Sequence, residues 1–172
     1  MIARALARLV PLLLMAAAPA DGNRASWRRG SADAALAPLS VTLVEKGRAL
    51  LGRGQIDAAI DRFETALAVD PRNAEAFIGL AEAARARGLP GKAARFYREA
   101  LSVDPQHRGA LLGQGLAFLE RGARPRAEAN LERLRELCKG PCPEVTRLQA
   151  ALAAPPSREA RAANPPAAAP EP

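Results

Sequence analysis

Apolar side chains recur at spacings of three and four residues through most of the chain between positions 40 and 154. This spacing gathers them on one face of a helix, whereas a strand would alternate them every second residue. Glycine, proline and asparagine interrupt the pattern at regular intervals, where one helix ends and the next begins. The pattern predicts seven helices, at about 40–53, 56–69, 74–87, 91–103, 108–121, 124–138 and 144–154.

Five sets of residues repeat along this region with a period of 34. That period is typical of a solenoid built from helix–turn–helix units. The small side chains allow close contact between helices, and the larger ones fill the space between units. The sets are Gly47, Ala81 and Gly115; Gly54, Gly88 and Gly122; Ala59, Ala93 and Ala127; Phe63, Tyr97 and Leu131; and Asp70-Pro71 with Asp104-Pro105.

The residues at the predicted helix ends support this division. Gly54 and its two counterparts follow apolar helices, where glycine adopts the left-handed conformation that closes a helix. The proline after Asp70 and after Asp104 cannot continue a helix and fixes the turn between units. Asn73 then offers a side-chain oxygen to cap the next helix, and His107 is expected to be a polar cap in the same way.

These repeated residues resemble those of the tetratricopeptide repeat (TPR) family over about residues 40–140. The first unit departs from the family pattern at Lys46, and the third departs at Leu134 and lacks the closing proline. The resemblance implies an all-α fold, a right-handed α-solenoid of three helix-turn-helix units. The second unit matches best, with Phe77, Leu80, Ala81, Ala84, Ala93, Tyr97, Ala100 and Pro105.

The seventh helix is expected to close the C-terminal end of the solenoid. Val145, Leu148 and Leu152 share one of its faces by the same three- and four-residue spacing. Without a cap, the last unit of a solenoid would expose an apolar surface. We therefore predict a C-terminal capping helix after the third unit.

The TPR resemblance also implies a protein or peptide partner, bound by the first helix of each unit on a concave face. Here that face would be a largely apolar groove, suited to an amphipathic helix or an extended apolar peptide. Alternatively, the leader, the capping helix or a second copy of the chain covers it. Val44 and Gly79 stand where a clamp for a terminal carboxylate would need polar side chains, so we expect no such clamp. The predicted groove residues are Val41, Val44, Arg48, Leu51, Glu75, Ile78, Glu82, Arg85, Leu112, Leu116 and Leu119.

Cations gather around the turn inside each unit, and stacked units would line them up as a basic edge. One explanation is compensation of helix dipoles, which favour cations at helix C-termini. The functional alternative is an anionic partner, either an acidic protein or lipid headgroups, with nucleic acid not expected. The edge consists of Arg53, Arg87, Lys92, Arg121, Arg124 and Arg126.

The two cysteines, Cys138 and Cys142, flank Gly140 and Pro141, which break the helix between them. A disulfide here would hold the capping helix against the third unit and contribute about 2 kcal/mol on a chain-entropy model. A redox pair is the competing hypothesis, but thiol oxidoreductases place two residues between their cysteines at a helix N-terminus. Two cysteines and one distant histidine do not make a zinc site, so no metal is predicted.

The N-terminal residues and the composition bear on where the protein acts and on which partners it can bind. The first 20 residues combine Arg4 and Arg8, an apolar stretch and an Ala18-Pro19-Ala20 end, which favours a cleaved signal peptide over a buried helix. The formal charge of +7 would fall by two on cleavage, and no transmembrane span would remain in the mature chain. Aromatic residues are only 3%, which disfavours a stacking-based nucleic-acid binder.

The whole chain is therefore divided into a signal peptide (1–20), a flexible leader (21–39), a TPR domain with its capping helix (40–154) and a disordered Pro/Ala-rich tail (155–172). No catalytic constellation or cofactor motif stands out. The leading hypothesis is a non-enzymatic adaptor in the periplasm of a Gram-negative bacterium, with self-association possible. The alternative is an accessory subunit of a cell-envelope machine for secretion, division or wall synthesis, docked through the basic edge.

Overall fold

The structure is a computed structural model that describes residues 35–155. The predicted signal peptide, most of the leader and all but the first residue of the tail lie outside the described residues. Within residues 35–155 every element is a helix. In chain order they are α1 (Pro38–Gly52), α2 (Ile56–Val69), α3 (Ala74–Ala86), α4 (Pro90–Val103), α5 (Arg108–Glu120), α6 (Arg124–Leu137) and α7 (Pro143–Ala153).

The predicted helices are confirmed, with ends displaced by no more than about two residues. The largest displacement is at the start of α1, which begins at Pro38 inside the predicted leader. Proline suits the first turn of a helix because its missing N–H would have no partner there.

The residues predicted to end or cap helices have the expected conformations and hydrogen bonds. Gly54, Gly88 and Gly122 have φ angles of +74°, +69° and +71°, the left-handed region that glycine enters without a steric penalty. Each follows the first helix of a unit and turns the chain into the second. The Asn73 side chain accepts a hydrogen bond from the Glu75 N–H, and the His107 side chain accepts one from the Ala110 N–H.

The helices pack as three antiparallel pairs, α1 with α2, α3 with α4 and α5 with α6, stacked in chain order, and the last helix packs on both α5 and α6. The all-α solenoid of three helix–turn–helix units with a terminal helix is therefore confirmed. Leu148 and Leu152 of α7 are buried, so this helix covers apolar surface of the third unit.

Aromatic side chains fill the space between units, as the repeat predicts. Phe63 is fully buried, and a β-carbon on Gly47 would lie 2.6 Å from its ring. A β-carbon on Gly79 in the next unit would also collide with that ring. Tyr97 is buried in the same way, and a β-carbon on Gly113 would collide with it. Gly79 and Gly113 are thus the places where one unit receives the aromatic ring of the unit before it.

A buried polar link, not predicted from the sequence, joins the first two units. The Ser40 hydroxyl donates to the Ala66 carbonyl at 2.8 Å and accepts from the Asn73 side-chain amide at 2.8 Å. Both Ser40 and Asn73 are buried, so each hydrogen bond replaces one that water would otherwise supply. The start of α1, the end of α2 and the start of α3 are therefore fixed together.

Candidate functional site

The first helices of the units form one shared surface. Helix α1 contacts α3, and α3 contacts α5, whereas among the described helices α2 does not contact α4 and α4 does not contact α6. The first helices therefore converge, and we call the surface that they present the inner face. It is the face on which the sequence placed the partner groove.

A chain of charged side chains crosses the inner face from the first unit to the third. Glu75 of α3 forms an ion pair with Arg48 of α1 through one carboxylate oxygen. Its other oxygen lies 2.8 Å from Nε2 of His107, the cap of α5. Burial alone would raise the pKa of Glu75, but His107 and Arg48 outweigh burial and lower that pKa below its ordinary value. The carboxylate of Glu75 is thus held ionised between two units.

A second ion pair joins α3 to α5. The Arg85 Nε donates to an oxygen of Glu120 at 3.0 Å. Arg85 also lies close enough to the hydroxyl of the buried Tyr97 for the two groups to interact. Burial, with a further contribution from the charge of Glu82, raises the pKa of Tyr97 to about 12. This contact connects the inner face directly to the core between units two and three.

Glu82 differs from these residues because, among the described residues, no hydrogen bond or ion pair engages its exposed carboxylate. Desolvation raises the pKa of Glu82, and the charge of Arg48 opposes the shift only in part. It borders a cleft of about 680 Å³ that Arg85 and Glu120 also line. An unpaired carboxylate in a cleft is a place where a cation from a partner would gain a charge-assisted hydrogen bond.

Part of the predicted apolar groove is wrong. Val44, Ile78 and Leu112 are only 3%, 5% and 6% exposed, so they belong to the core and offer no surface to a partner. These three residues are 34 apart and occupy the same position in each unit. A first helix is covered both by its own second helix and by the next unit, so its apolar stripe is wider than the surface it leaves exposed.

The remaining predicted residues do lie at least partly on the surface. Val41 is 40% exposed, and Leu51, Leu116 and Leu119 are half-buried. Arg48, Glu75, Glu82 and Arg85 keep accessible charged ends. The inner face therefore mixes charged and apolar side chains, with charge in all three units, and is not a continuous apolar strip.

The two positions at which the sequence argues against a clamp for a terminal carboxylate offer no polar side chain to the inner face. Val44 is in the core, and Gly79 is pressed against the ring of Phe63. A polar side chain at Gly79 would displace that ring from the junction between the first two units.

The basic edge is interrupted by contacts within the chain. Arg87 forms an ion pair with Asp57. Lys92 lies over the Phe96 ring at 5.7 Å, and Arg124 donates to the Leu152 carbonyl at 2.6 Å. Arg126 lies over the Phe118 ring, while Arg53 and Arg121 are exposed without a pairing partner among the described residues. Four of the six cations therefore already have a contact partner within the chain.

The structure joins Cys138 to Cys142, with an S–S distance of 2.12 Å and a Cα–Cα distance of 6.0 Å. This bridge closes the loop between α6 and α7, so it ties the last helix to the third unit. Among the described residues, no cluster of three or more His, Cys, Asp or Glu side chains could hold a metal ion. Within residues 35–155, no helix has both the length and the apolar content needed to cross a bilayer.

Sequence reasoning missed two members of the charged network. His107 was predicted only as a cap, and Glu120 was not predicted to take part in any contact. A sequence signal existed, because Glu75 and His107 are 32 residues apart and Arg85 and Glu120 are 35 apart, both close to the repeat period. Opposite charges separated by about one period are candidates for pairs between stacked units.

The family follows from the stacked pairs, the 34-residue period and a comparison with known families. A family model described as the tetratricopeptide repeat matches residues 44–107 and 90–140, more than half of the chain. The chain belongs to the tetratricopeptide repeat family. The TPR fold is a non-enzymatic scaffold for protein interactions, which accounts for the absence of catalytic motifs from the sequence.

Solved TPR structures share this fold. The TPR domain of Sgt2 from Aspergillus fumigatus is 28% identical with a TM-score of 0.63, covering 72% of this chain and 89% of that one. The first TPR of Spaghetti (RPAP3), bound to an HSP90 peptide, is 23% identical with a TM-score of 0.59, covering 67% and 94%. The Yersinia enterocolitica type III secretion translocator chaperone SycD is 21% identical with a TM-score of 0.60, covering 66% and 87%. No curated protein matches the chain.

Proposed function

We propose that this TPR protein is a non-enzymatic periplasmic adaptor that holds a peptide segment of a partner protein on its inner face. Two similar structures support peptide binding as the mode. The first TPR of Spaghetti is bound to an HSP90 peptide, and SycD forms a complex with a peptide of the translocator YopD. In this chain the inner face offers charged side chains, most of them in its second unit, together with apolar side chains in its first and third units.

The observation that carries the proposal is the unpaired carboxylate of Glu82 between two apolar regions. Val41 and Leu51 lie on one side of it along the solenoid, and Leu116 and Leu119 lie on the other. A segment with a lysine or arginine between two apolar side chains would match this order. Apolar contact would supply most of the affinity, and the cation would fix the register of the segment.

Export is the second part of the proposal. The N-terminal sequence has the charged, apolar and small-residue regions of a secretory signal. The bridge between Cys138 and Cys142 suits an oxidising compartment such as the periplasm. Protein isolated from the native envelope should therefore begin at Asp21 when its intact mass is measured, and a chain beginning at Met1 would contradict export.

The peptide-binding part is tested by crosslinking and pull-down of the full chain from envelope extracts. We expect a partner whose capture survives about 0.5 M salt, because apolar contacts are not screened as ion pairs are. Val41→Asp and Glu82→Lys should each abolish capture. Val103→Asp is the matched control, because Val103 is 38% exposed and lies on a second helix. Equal capture by all three variants would refute the inner face as the binding surface.

The alternative, an envelope-machine subunit docked through the basic edge, has less support. Arg87, Lys92 and Arg124 are already engaged by contacts within the chain. A flat anionic surface would have to compete with those contacts. Capture that is lost at about 0.5 M salt and is insensitive to Glu82→Lys would favour this alternative.

A further inference from the structure

Four arginines from two consecutive units border one cleft on the side of the molecule that carries the second helices. Arg95 and Arg98 come from α4, Arg121 follows α5, and Arg126 comes from α6. The cleft has a volume of about 490 Å³. We call it the arginine cleft. It shares two residues with the predicted basic edge and gains two that the sequence pattern did not select.

The cleft is unbalanced in charge. None of the described residues that line it is acidic. Among the described residues no carboxylate pairs with Arg95 or Arg121, and Arg98 pairs only with its neighbour Glu99 at 3.4 Å. Arg126 is held over the ring of Phe118. Several guanidinium groups with unused donors therefore face one recess, where like charges repel unless an anion joins them.

Beneath the arginines the cleft has a fixed polar floor. The Asn130 amide donates to the Gln114 side-chain oxygen at 3.0 Å and to the Leu111 carbonyl at 3.1 Å. The Gln114 amide donates to the Ala94 carbonyl at 3.3 Å. Both side chains are buried and so hold α4, α5 and α6 in register. The spacing of the arginines is thus set by packed helices and not by loops.

We propose that the arginine cleft binds an acidic peptide segment of a protein partner. Guanidinium groups form paired hydrogen bonds with carboxylates, so the four arginines can engage acidic side chains of an extended segment. None of the residues predicted for the inner face lines this cleft, although α5 contributes to both surfaces, so the site goes beyond the proposed function and provides a second point of attachment.

The surroundings of the cleft favour a peptide over a lipid surface. Glu99 and Glu128 are 47% and 53% exposed beside the cleft, and a flat anionic membrane would meet them together with the arginines. The most exposed large apolar side chains among the described residues lie elsewhere, so none stands at the cleft to enter a bilayer.

Fluorescence anisotropy of the full chain with labelled peptides tests this proposal. The probe is a peptide of alternating glutamate and glycine, and its counterpart carries glutamine in place of glutamate. We expect binding of the glutamate peptide alone, weakening steeply as salt shortens the screening length. Arg95→Gln combined with Arg121→Gln should weaken binding about tenfold, the loss expected for one charge-assisted hydrogen bond or more.

The matched control is Arg53→Gln combined with Arg62→Gln, which removes the same charge from exposed positions outside the cleft. It should change the affinity by less than about twofold, since distant exposed charges are largely screened. Circular dichroism confirms that both double variants fold. Val41→Asp should leave peptide affinity unchanged, which separates this site from the inner face.

Three results would overturn the proposal. The first is a control variant that loses as much affinity as the cleft variant, because binding would then follow net charge alone. The second is failure of the glutamate peptide to bind at low salt. The third is binding to vesicles of phosphatidylglycerol and phosphatidylcholine that the glutamate peptide does not displace, which would assign the cleft to lipid headgroups.

Discussion

At both junctions between repeat units, a glycine of one unit packs against an aromatic ring of the unit before it, but the ring differs between the two junctions. Phe63 packs against Gly79 of the second unit, and Tyr97 packs against Gly113 of the third. Phe63 is enclosed on all sides, whereas the hydroxyl of Tyr97 reaches Arg85 on the inner face. The ring at the first junction therefore contributes by packing alone, and the ring at the second junction additionally couples the core to the surface that we propose binds a peptide.

Removing the ring at the first junction should give the largest effect. Phe63→Ala should lower the free energy of unfolding by about 3–5 kcal/mol, because it removes a fully buried ring and leaves a cavity between units. Urea denaturation followed by circular dichroism measures this change. Val69→Ala is the control, since Val69 is 38% exposed at the end of α2. A loss below about 1 kcal/mol would show that the first junction does not depend on Phe63.

Adding a methyl group at Gly79 or Gly113 should have the next largest effect on the free energy of unfolding. Gly79→Ala and Gly113→Ala should each cost about 1–3 kcal/mol, because the new methyl group meets an aromatic ring. Adding Tyr97→Phe should recover part of the loss for Gly113→Ala, since that methyl group would also meet the hydroxyl oxygen.

The control for these substitutions is Gly52→Ala, because a β-carbon there meets nothing within 4 Å. It reports the helix-propensity gain of alanine over glycine without a clash. If Gly79→Ala is as harmless as Gly52→Ala, the close contact between Phe63 and α3 is not tight in solution.

Exchanging the two aromatic residues should change stability by smaller amounts. Tyr97→Phe should cost about 1 kcal/mol, because it removes the hydroxyl that interacts with Arg85. Phe63→Tyr should cost about 1–3 kcal/mol, because it introduces a hydroxyl into an enclosed apolar site. A gain in stability for Phe63→Tyr in thermal denaturation would contradict the difference between the junctions.

The last expected effect is a dependence of stability on pH. Tyr97 has a pKa of about 12 when folded, against 10.0 for an ordinary tyrosine. The folded state therefore keeps its proton where the unfolded state loses it, and stability falls as the pH rises from about 10 to about 12. Tyr97→Phe should reduce that fall when the urea midpoints of both proteins are compared across this range. Parallel curves for the two proteins would contradict the raised pKa.

The sequence predicted the junctions well because their contacts recur at the repeat period. A left-handed glycine inside each unit, a proline at each boundary between units and one large apolar or aromatic side chain per unit are local requirements of a stacked pair of helices. The repeat alone therefore assigns Phe63 and Tyr97 to the space between units. It does not assign their receiving positions, Gly79 and Gly113, because a glycine inside a helix does not reveal which neighbour presses on it.

The binding surfaces were predicted less well. Val44, Ile78 and Leu112 were assigned to the groove because they are apolar residues of first helices, but stacking buries that side of each helix. The arginine cleft was not predicted, for a related reason. It depends on how α4 and α6 are rotated over α5, and the pattern along the chain does not specify that rotation.

The close contact at Gly115 limits where further repeat units could be added to the solenoid. Gly115 occupies the position that Gly47 has in the first unit. A β-carbon on Gly115 would lie only 2.8 and 2.9 Å from the two methyl groups of Leu148 on α7. A fourth unit on this side would need the place that α7 now holds. Lengthening by gene duplication must therefore insert new repeats ahead of the third unit, and the last unit with its bridged terminal helix would be inherited as one block.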